Sequence, residues 1–181
     1  MKSKLLRAFL VCLVPVVCIR FYLAGTSYSK DFHVYWSAVQ AWMAGGSPYG
    51  ALVAGDPAFV FKYPPWVLPY LAPLYLFTFE QAKAFWAILE LLALASSVRS
   101  LVRLGLSVRV VLFSTALFWY IWLGHFYFGQ IGLFFLAVSL WAVEKSNSET
   151  LMAVKSSIVV FFSSIKAFSM VSLIGIWKQV F

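Results

Sequence analysis

The stretch Tyr63-Pro64-Pro65-Trp66-Val67-Leu68-Pro69-Tyr70-Leu71-Ala72-Pro73-Leu74-Tyr75-Leu76-Phe77-Thr78-Phe79 decides how this chain is laid out. It is apolar enough to enter a bilayer, and its length approaches the ~20 residues that a crossing helix needs. Four prolines interrupt it, at 64, 65, 69 and 73. Each removes a backbone donor and crowds the preceding turn, so a regular span is unlike anything these residues favour. The stretch reads as a broken or re-entrant segment, which lipid tolerates only where protein surrounds the backbone. Were it to cross, Arg99, Arg103 and Arg109 would lie outside, against the bias that keeps cations on the cytoplasmic side. If it turns back, the three arginines lie inside. The run His125-Phe126-Tyr127-Phe128-Gly129-Gln130 then falls on the same outer side as Asp31.

Working outward, the whole chain is built for a membrane. Of its 181 residues 63% are hydrophobic and only 11% charged, with a mean hydropathy of +0.89. A soluble domain carries about 25% charged residues, and no soluble fold of this length could bury so much apolar surface. Aromatic residues reach 19%; they gather at headgroup level in membrane proteins. The net charge of +8 does not point to nucleic acid. The cations fall near segment ends, at Lys2, Lys4, Arg7, Arg99, Arg103, Arg109 and Lys178, where they orient helices and meet anionic lipid. Cys12 and Cys18 share one helical run, about 9 Å apart along its axis and on different faces. That separation excludes a disulfide between them in the helix.

The first predicted span is 5–24, entered from the cytoplasm because Lys2, Lys4 and Arg7 precede it. It continues too far, and lacks a small-residue cleavage site, for a removed signal peptide. Residues 25–62 form an extracytoplasmic loop. Within it, 31–46 reads as an amphipathic interfacial helix, with Phe32, Tyr35, Trp36, Val39, Trp42 and Met43 recurring at helical spacing. Asp31 stands where it can cap that helix, and Gly45-Gly46 where they can end it. Further spans are predicted at 82–98, carrying Glu90, and at 110–123, 131–143 and 151–177, the last interrupted by Lys166. The expected fold class is all-α: a polytopic transmembrane helical bundle forming a single membrane domain over 1–181.

Asp31 is the foremost chemical candidate. A carboxylate at the lipid–water boundary beside aromatic rings and His33 can have its pKa raised toward that of a useful general base. The plainer reading is an ordinary helix cap. Tyr63-Pro64-Pro65 can wall a substrate groove, or simply start a helix. Gly129-Gln130 offers close backbone approach and an amide suited to hydroxyls, or is a loop in an aromatic belt. His125 is a candidate ligand of phosphate or a satisfied interfacial histidine. Lys166 is a cation deep in an apolar run, where charge is costly and faces a partner or a cavity. It can bind phosphate, or pair with Glu90. No nucleotide-binding glycine loop, zinc-type Cys/His spacing or serine nucleophile elbow is present. Asp31 with the distant Asp56 makes a poor divalent-metal site; no cofactor is expected, and a divalent metal stays open.

The ordered set Asp-Phe-x-x-Tyr-x-x-Ala (Asp31 to Ala38), Gly-x-x-Pro-Tyr (Gly45 to Tyr49), Phe-x-Tyr-Pro-Pro (Phe61 to Pro65), Pro73-Leu74, Ala-x-x-x-Trp (Ala82 to Trp86), Gly129-Gln130 and the late Lys166 resembles glycosyltransferase family 87. The resemblance covers nearly the whole chain. It implies a GT-C-like N-terminal module, and an enzyme taking a sugar, often mannose, from a polyprenyl phosphate on the outer membrane face. It implies Asp31 as catalytic base. Tyr35, Lys62, Tyr63, His125, Gln130 and Lys166 become candidate substrate-binding residues, with Lys62, His125 and Lys166 for the phosphate. The chemistry agrees with one carboxylate. A glycosidase needs an acid and a base because its leaving alkoxide is poor, whereas a polyprenyl phosphate leaves as a stabilised anion. The expected partners are the lipid-linked donor, a glycan or glycolipid acceptor and membrane lipids. The expected place is the cell (inner) membrane, multi-pass, with the N-terminus cytoplasmic. Family members continue further, so the resemblance also implies a truncated product, fragment or reduced relative. The rival reading is a non-catalytic membrane subunit or inactive remnant.

Overall fold

A computed structural model describes residues 2–49 and 60–143, the side chains of 2–12 and 143 excepted. Every regular element among them is helical. The expected loop 51–59 with Asp56, the polar loop 144–150 and the span 151–177 with Lys166 lie outside the described residues.

Helix α1 (Lys2–Ser27) leads after a two-residue break into α2 (Lys30–Met43). A one-turn helix α3 (Leu68–Leu71) is flanked by 3-10 turns at Pro65–Val67 and Ala72–Leu76. Then follow α4 (Phe79–Arg103), α5 (Val108–Leu117), α6 (Trp119–Phe128) and α7 (Gly132–Val143). Among the described residues α4 is the one helix long and apolar enough to cross a membrane. Its start is fixed by a capping box: Thr78 Oγ1 accepts from the Gln81 amide at 3.4 Å, and Gln81 Oε1 accepts from the Thr78 amide at 3.1 Å. Two of the four orphan donors are thereby satisfied.

Several expectations need correction. The predicted span 110–123 is no single helix; α5 and α6 meet at Phe118 with a bend of 66°. One turn before the break the Thr115 hydroxyl donates to the Val111 carbonyl at 2.8 Å, a back-bond that loosens helical turns. The cap of α2 is Ser29, and Asp31 lies in the first turn. The aromatic face of α2 is spent on protein packing: Phe32, Tyr35 and Val39 are buried, leaving Trp42 and Met43 exposed. That face covers Phe61, Val67, Leu68, Leu71, Leu74, Ala82 and Trp86 in one core. A second core gathers Phe21, Ala93, Phe126 and Leu133.

The proline-rich segment, expected to be broken or re-entrant, keeps a continuous helical backbone over 65–76 by mixing 3-10 and α turns, with Val67, Leu68, Leu71 and Leu74 buried against α2. At its start the Tyr63 hydroxyl lies 3.3 Å from that of Tyr35. At its end Trp36 Nε1 donates to the Phe77 carbonyl at 3.3 Å. Both flanks of the segment thus bond to neighbouring residues of α2.

Helix directions follow from the contacts between helices. A Cβ on Gly25 would come within 2.9 Å of Ala87 Cβ, and Phe21 shares a core with Ala93, so α1 and α4 run antiparallel. Phe21 stacks on both Trp119 and Phe126, each at 4.6 Å, and Tyr28 stacks on Tyr127 at 4.7 Å; α1 and α6 thus run parallel. One end of the bundle gathers Ser29, α2, the start of α4 and the end of α6. The other gathers the start of α1, the end of α4 and the α4–α5 turn. Between them Glu90 is fully buried, and neither carboxylate oxygen has a hydrogen-bond partner among the described residues.

Candidate functional site

Asp31 is placed by the break between α1 and α2. Ser29 there adopts φ 49°, ψ 42°, a left-handed conformation that costs a non-glycine residue ~1–2 kcal/mol. Two bonds hold it. Its amide donates to the Tyr127 carbonyl at 2.8 Å, and its hydroxyl donates to the Gly25 carbonyl. The junction is thus pinned to the end of α6, and Asp31 follows two residues later, half-buried in the first turn of α2. A carboxylate at this point is stabilised by the helix dipole.

One turn further along α2 stands Tyr35, 4% exposed, paired with Tyr63. Burial pushes the Tyr35 phenol well above its ordinary range, and the neighbouring Tyr63 and the Asp31 charge add to the rise, against a smaller opposing pull from the Ile131 backbone. Burial likewise raises Tyr63, with Asp31 adding and the bond to Tyr35 opposing. Both phenols therefore stay neutral near pH 7. Two hydroxyls sharing one hydrogen bond keep one O–H for a ligand. Tyr63 is itself held by Tyr49, whose hydroxyl donates to the Tyr63 carbonyl at 3.1 Å.

The third strand of the site is the turn after α6. Its C-terminus closes with Gly129 donating to Phe126 and Gln130 to His125, both at 3.1 Å, the bond pair of a Schellman motif. Gly129 has φ 69°, and a Cβ there would stand 2.7 Å from Phe32 Cβ. Both the conformation and the space demand glycine. This packing sets the half-buried Gln130 and Ile131 beside α2. Asp31, Tyr35, Tyr63 and the Gly129–Ile131 turn thus converge, although they are scattered over a hundred residues of sequence.

The remaining candidates are placed differently. Lys62 is half-buried immediately before Tyr63. His125 sits within α6, its Cε1 2.8 Å from where a Gly132 Cβ would be, with Trp122 at 6.1 Å; it belongs to the α6–α7 corner. Lys166 lies outside the described residues.

Sequence reasoning left two groups without a role. Lys83, 8% exposed, lies 2.8 Å from Glu80 Oε2 and 5.3 Å over the Phe79 ring. Burial, and then the Lys83 charge, lower the pKa of His33 below 6.5, and its ring is 4.5 Å from Phe79. A signal for Lys83 was present: a cation near the start of a helix opposes the dipole and needs a reason. Trp86 entered the sequence reading only as part of a motif, with no role assigned. It meets Phe32, Tyr35 and Phe134 at 5.3, 5.6 and 5.0 Å, joining α2, α4 and α7. Among the described residues no group of three or more His, Cys, Asp or Glu side chains gathers to hold a metal.

A helical, membrane-associated protein with a carboxylate and two neutral phenols at one end of its bundle is the class defined by fold and site. Residues 61–173 match glycosyltransferase family 87, more than half of the chain. The protein belongs to that family and is by membership a glycosyltransferase, acting between a sugar donor and an acceptor. The match takes in Tyr63, α4 to α7, Gly129 and Gln130; α2 with Asp31 precedes it. No curated protein and no solved structure matches the chain.

Proposed function

We propose that the chain is an integral-membrane transferase that moves a sugar, mannose in this reading, from a polyprenyl-phosphate donor to an extracytoplasmic glycan or glycolipid acceptor, with inversion. The observation that carries it is the convergence of Asp31, Tyr35, Tyr63 and the Gly129–Ile131 turn at one end of the bundle. Asp31 serves as general base. It takes the proton of the acceptor hydroxyl as that oxygen bonds to the anomeric carbon. The bond from that carbon to the phosphate oxygen breaks, and the electron pair leaves on the polyprenyl phosphate. The Tyr35–Tyr63 pair hydrogen-bonds sugar hydroxyls, and Gln130 supplies an amide. Lys62, His125 and Lys166 are proposed for the phosphate; no organic cofactor is assigned, and a divalent metal stays open.

The helix directions support the outward placement of this site. With α1 and α4 antiparallel, the basic start of α1 (Lys2, Lys4, Arg7) lies toward Arg99, Arg103 and Arg109. Cations gathered at one end favour its cytoplasmic side, leaving α2 at the other.

The test is sugar transfer in membranes expressing the chain, with radiolabelled polyprenyl-phosphate mannose and expression-matched Asp31→Asn. A general base contributes about 10²–10⁴ in rate, so the variant should lose at least ~100-fold. Unchanged transfer by Asp31→Asn would sink the assignment.

A further inference from the structure

Helices α1 and α6 present matching faces that fail to close. On α1 the face is Arg20, Ala24 and Ser27; on α6 it is Tyr120, Gly124 and Tyr127. These are the i, i+4 and i+7 positions of each helix, which lie along one face. The stacked rings of Phe21, Trp119 and Phe126 hold the helices together on their inner side. Opposite Ala24 the α6 residue is Gly124, where an added Cβ would meet nothing within 4 Å. The result is a crevice of about 520 Å³, within the range of small-molecule sites.

Its lining is mixed. Ser27, Tyr120 and Tyr127 bring hydroxyls, and Arg20 brings a positive charge with no acidic residue among the lining. Arg20 makes no ion pair or hydrogen bond with any described residue. A guanidinium within an apolar run calls for an anion. Arg20 lies close to the outer end of the 5–24 run, where a long side chain reaches lipid phosphate.

We propose that this crevice binds one anionic glycerophospholipid, its phosphate on Arg20, its headgroup hydroxyls toward Ser27 and Tyr127, and its ester region beside Tyr120. The inference rests on the membrane placement of α1 in the reading above. The ligand is distinct from the sugar donor. A donor phosphate is one sugar carbon from the acceptor oxygen that Asp31 deprotonates, so it belongs beside Asp31. Arg20 lies a further ~10 Å of helix below Ser27.

The test uses the full chain, delipidated in detergent and incubated separately with phosphatidylglycerol, phosphatidylcholine, inorganic phosphate or polyprenyl phosphate. Retained lipid is read by native mass spectrometry, and inorganic phosphate and polyprenyl phosphate are also added as competitors. The wild type should retain phosphatidylglycerol about fivefold better than phosphatidylcholine, since one cation near a lipid surface contributes ~1 kcal/mol. Arg20→Gln should bring the two to the same level. Gly124→Leu should lower retention of both, since an added Cβ at Gly124 meets nothing within 4 Å and the side chain grows from the crevice wall. Equal retention of the two lipids by the wild type, or retention unchanged in both variants, overturns the proposal. So does displacement of phosphatidylglycerol by an equal concentration of inorganic phosphate, which would mark a free-anion site, or of polyprenyl phosphate, which would mark a donor site. Asp31→Asn should retain phosphatidylglycerol like the wild type, so a failure of the transfer reading stays separate from a failure here.

Discussion

Replacing Gly129 by alanine tests whether the Gly-Gln turn is truly seated on α2. Two costs arise. The left-handed conformation, φ 69°, costs an alanine ~1–2 kcal/mol. The new methyl would stand 2.7 Å from Phe32 Cβ, against the ~3.5–4.0 Å at which carbon atoms rest. Phe32 is fully buried, and its Cβ cannot swing away from its own backbone. The turn and α2 must separate by about 1 Å, and forced core expansion of this kind costs ~1–3 kcal/mol. The structure provides its own control. Gly105 is also left-handed, φ 98°, but a Cβ there meets nothing within 4 Å, so Gly105→Ala carries the conformational cost alone. At about 2–4 °C per kcal/mol for a chain of this size, Gly129→Ala should melt ~2–12 °C below Gly105→Ala. The assay is thermal unfolding of the full chain in one detergent, followed by circular dichroism. Transfer measured below both midpoints should fall further in Gly129→Ala, because the displaced element carries Gln130. Coincident melting and equal transfer by the two variants would refute the close approach of the turn to Phe32.

Three further outcomes are expected. Tyr35→Phe and Tyr63→Phe each remove one hydroxyl of a buried pair and should each destabilise by ~1 kcal/mol in urea titration; since both phenols are raised by their surroundings, the pH–rate profile of the wild type should show no tyrosine limb up to about pH 9. His33 has its folded pKa held below 6.5 by burial and by Lys83, so the unfolded chain binds more protons in acid; stability should fall as pH drops through about 6.5 toward the lower folded value and stay flat in this respect above it. His33→Gln should remove that part of the slope, which melting curves of the two proteins between pH 7.5 and 5 would reveal as a narrowing difference. Thr78→Ala removes the hydroxyl that accepts from the Gln81 amide in the capping box of α4, leaving the Thr78 amide on Gln81 Oε1, and should cost ~1 kcal/mol, seen as a lower urea midpoint with unchanged slope.

Much of this was legible in the residues, and what was not has a physical cause. The all-helical character and the family were readable because apolar runs and the ordered motifs are local signals. The bend at Phe118 was not: 110–123 has neither proline nor glycine, and the stacking of Trp119 on Phe21 beside the break is a tertiary contact. The aromatic side of α2 has the periodicity of an interfacial helix, and periodicity cannot tell lipid from protein as the covering medium. Only the tertiary structure shows Trp86 and Leu68 lying against it. Ser29 was passed over as a loop residue because its left-handed conformation depends on the distant Tyr127 carbonyl. His125 stood out by its type and its place in an aromatic run, yet the ring rests on Gly132. Lys83 was hidden by the apolar surroundings that make its burial informative.

The four prolines and the wealth of aromatic residues answer one structural problem. Residues 65–76 stay helical through Pro65, Pro69 and Pro73 by mixing 3-10 and α turns, and the residues flanking them, Tyr63 and Phe77, bond to Tyr35 and Trp36. The flanking backbone leaves carbonyls that no helix satisfies, and in an apolar setting each is costly. The two ends are met by side chains with an apolar body and a polar tip: the Tyr49 hydroxyl donates to the carbonyl of Tyr63, and the Trp36 indole to that of Phe77. Aliphatic residues could fill the same volume but could not donate. The same packing on α2 leaves Tyr63 with its hydroxyl on Tyr35, one turn from Asp31. The device that closes the fold at this end therefore also builds a wall of the proposed active site, and a substitution that displaced 63–79 from α2 would dismantle both together.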